Sequence, residues 1–352
     1  MNKQIEYTTP TPLLDENGNL LVKGGWARNN VFEYKRDLCR PRWRLKEWDF
    51  HQFQDGEYKV LINFFNITVA TSAAASIRDI RTGELIAFKC INTLFTKNRF
   101  LPPEVGDKTN KLVYENKDIK MVYDTNIEEG YRRVTFESVL KGKPLVFDFT
   151  EEIPKGHENI TIVTPFKKHP NQFFLTTKQN CMPAEGTVTY GDRVITFTKD
   201  NTFGVMDWGR GVWPHNCEWY WGNGSTYLYD KDGNRHTFGF EITWLIGDDS
   251  NATETCLFYD GKAHKIGRVD IKEFPGKKGW LKPWEFVSED GRFNLTLTPF
   301  YDDVSGFVIK KLAGTKCHQA HGYFNGTVTL DDGTVLEIKD MYAYCEYVVN
   351  AW

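Results

Sequence analysis

One segment, residues 203–225, combines ionisable side chains with a high density of indoles. Asp207, Arg210 and Glu218 lie there beside Trp208, Trp213, Trp219 and Trp221, four of the eleven tryptophans of the chain. A carboxylate among aromatic side chains loses solvation, which raises its pKa and prepares it to donate a proton. The segment predicts a pocket in which Asp207 is an acid or base. The alternative is that the aromatic residues pack in the hydrophobic core and that Asp207 and Arg210 form a buried ion pair there.

The chemistry of Asp207 depends on Arg210. If burial dominates, Asp207 donates a proton; if a cation within about 4–6 Å dominates, the pair anchors a substrate carboxylate or a sugar. In a regular strand the two side chains point to opposite faces, so a bulge at Gly209 and Gly211 is needed to bring both inside. With that bulge, Arg210 is predicted to orient the reacting group.

Three tryptophans are predicted to form the pocket walls. Trp219 and Trp221 alternate with Tyr220, so their indoles share one face of a strand, and Trp213 adds a third wall. Stacked indoles suit a sugar ring, a polyene or a developing cation. The alternative is that they belong to the core of a barrel.

Two glutamates are candidates for a second carboxylate. Glu254 shares a face with Ala252 and Cys256 in a predicted strand, and Glu346 lies between aromatic residues. A carboxylate in such surroundings is costly to bury unless it is paired or functional. Either one is predicted to complete a two-carboxylate site with Asp207.

Other candidates lie outside these motifs. Arg44 alternates with apolar residues and is either a solvated basic residue or part of an anion subsite that Trp48 helps to close. His264 lies in a predicted turn and is, like Trp208, a candidate ligand-binding residue. Cys317-His318-x-x-His321 does not have zinc spacing, and no phosphate-binding loop or dinucleotide fingerprint is present, so we expect neither a metal nor a cofactor.

Short β-strands must position these residues. Asp-Gly and Asn-Gly dipeptides, which favour hairpin turns, separate runs rich in Val, Ile, Thr, Phe and Tyr. The turns are predicted at Asp55-Gly56, Asp232-Gly233, Asp260-Gly261, Asp290-Gly291, Asn325-Gly326 and Asp332-Gly333. The strands are predicted at Tyr58–Ala70, Arg133–Leu140, Leu145–Thr150, Thr187–Tyr190, Val194–Thr198, Thr237–Leu245, Ala252–Tyr259, Phe293–Pro299, Gly326–Leu330 and Val335–Ile338. A polar break is predicted at residues 178–183.

Composition narrows the function classes. The net charge of −3 argues against a nucleic-acid partner, and no apolar run reaches the roughly 20 residues of a membrane span. The N-terminal residues lack the apolar core of a signal peptide, and the seven scattered cysteines are typical of reduced thiols, so we expect a cytoplasmic protein.

Stretches along nearly the whole chain carry a family resemblance. They are Thr11-Pro-Leu-Leu-Asp15, Gly24-Gly-Trp-Ala-Arg28, Arg42-Trp-Arg-Leu-Lys-Glu-Trp48, Asp207-Trp-Gly-Arg-Gly211, Trp219-Tyr-Trp-Gly222, Asn251-Ala-Thr-Glu-Thr255, Asp260-Gly261, Phe324-Asn-Gly326 and Cys345-Glu-Tyr347 through Trp352. Together they resemble domain-of-unknown-function family 2804.

More remotely, the chain is similar to the AttH-like and carotenoid 1,2-hydratase superfamily. Asp207 matches the Asp of its W-x-D-H-E-W-G motif and His264 matches a later turn, while Trp208 and Gly209 replace the motif His and Glu. The resemblance implies two lipocalin-like β-barrels and chemistry on hydrophobic polyenes.

These observations predict an all-β protein of two lipocalin-like antiparallel β-barrels packed together, residues 1–190 and 191–352. The predicted function is cofactor-independent acid–base chemistry, by a hydratase, isomerase, cyclase or lyase, on a hydrophobic or ring-containing small molecule. Two alternatives are a non-catalytic lipocalin-like binding protein and a carbohydrate-active hydrolase with paired carboxylates.

Overall fold

The computed structural model describes residues 4–93, 100–309 and 312–352, and their backbone is almost entirely β-strand. Helical structure in these residues is limited to the 3₁₀ turns Arg36–Leu38 and Arg42–Arg44 and the short helix α1, Pro275–Lys278. The prediction of an all-β fold with two antiparallel β units packed together is confirmed, and each unit is a sheet curled into a half-barrel. No helix in the described residues is long and apolar enough to cross a bilayer.

The first large sheet holds most strands before residue 213. The strands up to that point are β1 (Thr11–Pro12), β2 (Gly25–Ala27), β3 (Phe32–Glu33), β4 (Leu45–Gln54), β5 (Tyr58–Asn66), β6 (Ala70–Asp79), β7 (Leu85–Thr93), β8 (Asn110–Glu115), β9 (Ile119–Asn126), β10 (Tyr131–Leu140), β11 (Lys143–Glu152), β12 (Ile160–Pro165), β13 (Phe173–Tyr190), β14 (Arg193–Phe197) and β15 (Phe203–Val212). The sheet runs β7-β6-β5-β4-β15-β13-β11-β10-β9-β8, with β2, β12 and β14 attached through β13. Strands β1 and β3 form a separate parallel pair.

The second large sheet contains the remaining strands. They are β16 (Asn216–Tyr229), β17 (Arg235–Trp244), β18 (Cys256–Tyr259), β19 (Lys262–Lys265), β20 (Val269–Ile271), β21 (Trp284–Ser288), β22 (Phe293–Ile309), β23 (Ala313–Thr329) and β24 (Val335–Ala351). Their order is β19-β18-β17-β16-β24-β23-β22-β21-β20. The chain changes sheet between Val212 and Asn216, after the predicted boundary at residue 190. That the two parts are independent domains stays a prediction.

Each sheet encloses its own apolar core. In the first, Phe53 stacks on Phe149 with ring centroids 4.3 Å apart; in the second, Tyr220 stacks on Trp244 at 4.5 Å. The faces that point away from these two cores meet each other, so residues on both faces of the central strands are removed from solvent.

Three local predictions are wrong. Residues 178–183 do not separate two strands, because β13 runs through them with a register shift between Gln179 and Met182. Asn325-Gly326 is not a hairpin turn, because Gly326 lies at a register shift inside β23. The segment around Glu254 is not a strand, since β18 begins only at Cys256.

Candidate functional site

A cavity of about 650 Å³ lies between the two sheets and takes its lining from both. Strands β4, β5, β7, β13 and β15 contribute from the first sheet, and β16, β17, β22, β23 and β24 from the second. Its large aromatic lining residues are Trp48, Phe50, Phe65, Phe174, Trp213, Trp219, Trp221 and Trp352. An apolar cavity of this size can enclose a small molecule with several rings.

Glycine on β15 makes room for one of these indoles. Gly209 is paired with Trp48 on β4, and a Cβ atom at position 209 would lie 2.2 Å from Trp48 Cε2. The indole therefore lies across the glycine and also packs on Phe174, with ring centroids 5.2 Å apart. The absence of a side chain at position 209 thus shapes the wall beside Asp207.

Asp207 lines the cavity and forms an ion pair with a lysine. Lys178 is its register partner on β13, and Lys178 Nζ lies 2.8 Å from Asp207 Oδ2. Thr176 Oγ1 donates a hydrogen bond to Asp207 Oδ1 at 3.1 Å. The ammonium group also lies 4.4 Å from the ring centroid of Trp221. Both charges are almost completely buried and each satisfies the other.

Glu254 lies on the other side of the same ammonium group. The residue lines the cavity, and its Oε2 is 3.8 Å from Lys178 Nζ and has no hydrogen-bond partner among the described residues. Burial raises the pKa of Glu254 to about 7; Lys178 opposes this rise and Asp207 adds to it. Glu254 is therefore a carboxyl group that exchanges its proton near neutral pH.

A third carboxyl group, Glu241 on β17, borders this cluster. Trp221 Nε1 donates a hydrogen bond to Glu241 Oε2 at 2.6 Å, and burial raises the pKa of Glu241 to about 8. Burial also acts to lower the pKa of Lys178, but Asp207, Glu254 and Glu241 outweigh it and raise that pKa above its ordinary value. We call Lys178, Asp207, Glu254 and Glu241 the acidic cluster.

Glu346 on β24 also lines the cavity. It accepts hydrogen bonds from Trp219 Nε1 at 3.2 Å and from Gln319 Nε2 at 3.0 Å. Burial raises the pKa of its carboxyl group, whereas these two donors and the nearby Lys59 act to lower it. Within the residues that the structure describes, no three His, Cys, Asp or Glu side chains are grouped as a metal-ligand set.

Comparison with known proteins identifies the family. The family described as domain of unknown function, DUF2804, matches residues 4–352. The chain belongs to this family. No curated protein sequence matches this DUF2804 chain.

Solved structures resemble the DUF2804 chain at low sequence identity, and two of them are kievitone hydratase and an AttH protein. Kievitone hydratase from Nectria haematococca has 12% identity and a TM-score of 0.46, and the match covers 87% of this chain and 89% of that one. An AttH protein from Nitrosomonas europaea has 12% identity and a TM-score of 0.44, covering 90% and 96% of the two chains.

The structure brings most of the predicted site residues of this DUF2804 chain to one cavity. They are Asp207, Glu254, Glu346, Trp48, Trp213, Trp219 and Trp221. Their roles in binding or catalysis stay predictions.

Arg210 and Trp208 do not line the cavity. Strand β15 pairs with β4 without a bulge at its glycines, so both side chains point to the face opposite Asp207. Arg210 is fully buried, donates to Asp49 Oδ2 at 2.8 Å and lies 4.3 Å from the ring centroid of Trp208. Arg210 therefore cannot orient a group bound beside Asp207, and the predicted Asp207–Arg210 pair is replaced by two separate ion pairs.

Arg44 and His264 also lie outside the cavity. The chain around Arg44 is a 3₁₀ turn rather than a strand, and its guanidinium group lies 4.1 Å from the ring centroid of Trp43. His264 lies on β19 with its Nδ1 3.4 Å from Asp331 Oδ2. Neither contributes to the cavity lining.

Sequence reasoning missed Lys178 and Glu241. Lys178 lies within the stretch interpreted as a polar break, and Glu241 alternates with Phe240 and Ile242, a pattern that normally places the glutamate in solvent. One signal in the sequence could have identified Lys178: it is a single lysine within a long run of strand-forming residues.

Proposed function

We propose that this protein is a cofactor-independent acid–base enzyme that acts at a carbon–carbon double bond of an apolar, ring-containing small molecule. One observation carries the proposal: Glu254, a carboxyl group with a pKa of about 7, lines an aromatic cavity beside the Asp207–Lys178 ion pair, and its Oε2 accepts no hydrogen bond from the described residues. A protonated carboxyl group beside a carboxylate is the arrangement that acid–base catalysis requires.

In a hydration, the Glu254 carboxyl group transfers its proton to one alkene carbon, and the π-electron pair forms the new C–H bond. The positive charge left on the other carbon is stabilised by indole faces and by the Asp207 carboxylate. A water oxygen then bonds to that carbon, and its surplus proton passes to Asp207. Proton return from Asp207 to Glu254 through solvent restores both groups. In an isomerisation, Asp207 instead removes a proton from the neighbouring carbon.

Lys178 has two roles in this scheme. Its ammonium group forms the direct ion pair with Asp207, and it opposes but does not cancel the effect of burial on the pKa of Glu254. One cation thus contacts the first carboxyl group and limits the rise in the pKa of the second.

The test uses a panel of arylalkenes, isoprenoids and glycosides incubated with the purified protein in water labelled with deuterium and heavy oxygen. Mass spectrometry detects hydration as gain of one labelled water and isomerisation as deuterium exchange at carbon. We expect label in an alkene-containing compound. Incorporation of heavy oxygen only into released sugars would support the hydrolase alternative, and binding with no labelled product would support the carrier alternative.

Matched variants assign the reaction to the acidic cluster. Glu254→Gln and Asp207→Asn are each expected to lower turnover about 10²–10⁴-fold. Glu285→Gln alters an exposed glutamate on β21 and is expected to leave turnover unchanged. Unchanged turnover in Glu254→Gln would contradict the proposal.

A further inference from the structure

Glu346, Trp219, Gln319 and Cys317 form a second polar group at the cavity, the Glu346 cluster, which the proposed reaction does not use. Glu346 is the register partner of Trp221, but its hydrogen bonds come from Trp219 on β16 and Gln319 on β23. Cys317 Sγ lies 3.7 Å from Glu346 Oε2. Gln319, Cys317 and Glu346 all line the cavity.

Two indoles on β16 separate the clusters. Trp221 donates its N–H to Glu241 on β17, and Trp219 donates its N–H to Glu346 on β24. Because β16 lies between β17 and β24 in the sheet, the two N–H groups point toward opposite neighbours. The indoles of Trp219 and Trp221 therefore form an aromatic surface, with the Glu346 carboxyl group next to one indole and the Glu241 carboxyl group next to the other.

The cluster is held in place before any ligand arrives. Lys59 is buried behind Gln319: its ammonium group contacts Gln319 Oε1 and lies 3.5 Å from the ring centroid of Tyr344. His321 Nε2 is a further partner of Gln319 Oε1, at 3.1 Å. With its oxygen fixed in this way, Gln319 presents its amide N–H to Glu346 in one orientation.

The Glu346 carboxyl group retains capacity for a ligand. Its Oε1 accepts one hydrogen bond, from Trp219, whereas a carboxylate oxygen can accept two. The side chain keeps part of its surface accessible, and the residue lines the cavity. A ligand group that completes this site must donate a hydrogen bond and must fit against indole faces, and a hydroxyl group on an aromatic ring does both.

We propose that Glu346, with Trp219 and Gln319, forms a second polar subsite that binds a hydroxyl group of the ligand, while the acidic cluster acts elsewhere on the same molecule. The ligand class is thus a hydroxylated, ring-containing apolar compound. The subsite rests on the proposed function only in taking the cavity as the substrate site; it needs no turnover.

The test measures binding of two probes of equal size, para-phenylphenol and para-methylbiphenyl, by titration calorimetry. Glu346→Leu is expected to weaken the binding of para-phenylphenol about tenfold and to change the binding of para-methylbiphenyl less than about twofold, because only the phenol loses a hydrogen-bond acceptor. Glu346→Gln, which retains an acceptor oxygen, is expected to keep most of the phenol affinity. Glu337→Leu, at an exposed position of the same strand, is the matched control and is expected to change neither probe.

Four results would overturn the subsite. In the first two, the native protein does not bind the phenol, or it binds both probes with equal affinity. In the third, Glu346→Leu lowers the affinity for both probes equally. In the fourth, the preference for the phenol is lost in Glu254→Gln and kept in Glu346→Leu. The calorimetry is separate from the labelling experiment. If binding favours the phenol through Glu346 but no labelled product forms, the subsite is supported and the enzyme proposal is rejected. If labelled product forms but binding does not favour the phenol, the enzyme proposal is supported and the subsite is rejected.

Discussion

At the scale of single residues, Lys178 decides the electrostatics of the cavity. Its ammonium group touches Asp207 and lies near Glu254, and all three side chains are almost fully buried. Removing one member of a buried ion pair leaves an unpaired charge, and that is more destabilising than removing both members.

Lys178→Met is expected to lower the free energy of unfolding by about 3–5 kcal/mol because Asp207 and Glu254 lose their common cation. The double variant Lys178→Met/Asp207→Asn is expected to be more stable than Lys178→Met alone, since it removes the stranded charge. Urea unfolding of the native protein, both single variants and the double variant gives the coupling energy. Additive effects would contradict the ion pair.

Glu254 makes both activity and stability depend on pH. Turnover is expected to fall as the pH rises through about 7, because the proton that Glu254 donates is then lost. The folded-state pKa is raised above the ordinary 4.5, so the unfolded chain releases this proton first and the free energy of unfolding falls between about pH 4.5 and 7.

In Glu254→Gln, the fall in the free energy of unfolding with rising pH is expected to be smaller by up to about 3 kcal/mol, since each pKa unit corresponds to about 1.4 kcal/mol. Glu241 retains its own contribution of the same sign, because its pKa is also raised. Thermal unfolding at about pH 5 and about pH 8 measures the difference. An equal decline in the native protein and the variant would show that Glu254 does not titrate as the structure indicates.

At the scale of elements, strand periodicity explains what the sequence could and could not predict. Hairpin turns at Gly56, Gly233, Gly261, Gly291 and Gly333 follow from dipeptides that favour positive φ, and all five adopt it. The shared face of Trp219 and Trp221 follows from alternation.

The buried polar face of β17 does not follow from alternation. Phe240 and Ile242 fill the core of the second sheet, and the rule places Glu241 and Thr243 in solvent. In the structure the first sheet covers that second face, so both residues are buried. Lys178 on β13 was missed for the same reason: local periodicity carries no information about a sheet packed on the other side.

Strand β15 depends on the absence of a side chain at position 209. Gly209→Ala is expected to push Trp48 toward the cavity and to destabilise the fold by about 1–3 kcal/mol, because the new Cβ would overlap the indole. Trp48→Phe in the same chain is expected to restore part of the lost stability, since a smaller ring leaves room for the methyl group. Urea unfolding checks both variants. A Gly209→Ala protein as stable as the native one would contradict the close contact.

At the scale of the whole molecule, a buried hydrogen-bond chain joins the two sheets beside the cavity. Tyr344 on β24 donates its hydroxyl to Gln52 Oε1 on β4 at 2.7 Å and accepts from Asn223 Nδ2 on β16 at 2.9 Å. Gln52 Nε2 completes the ring by donating to Asn223 Oδ1 at 3.3 Å. Because the cavity takes its lining from both sheets, these contacts set its width as well as the stability of the pair.

Tyr344→Phe is expected to lower the free energy of unfolding by about 1–3 kcal/mol, because it leaves a buried donor on Asn223 and a buried acceptor on Gln52 without partners. It is also expected to lower the affinity for para-phenylphenol and for para-methylbiphenyl equally, since it loosens the contact between the two sheets without altering either polar cluster. Tyr323→Phe removes a hydroxyl from a more exposed tyrosine on β23 and is the control, with an expected change below about 0.5 kcal/mol. Urea unfolding followed by tryptophan fluorescence measures stability, and calorimetry measures affinity. If Tyr344→Phe were as stable as the control, or if it discriminated between the probes, the hydrogen-bond chain would not be what fixes the two sheets around the cavity.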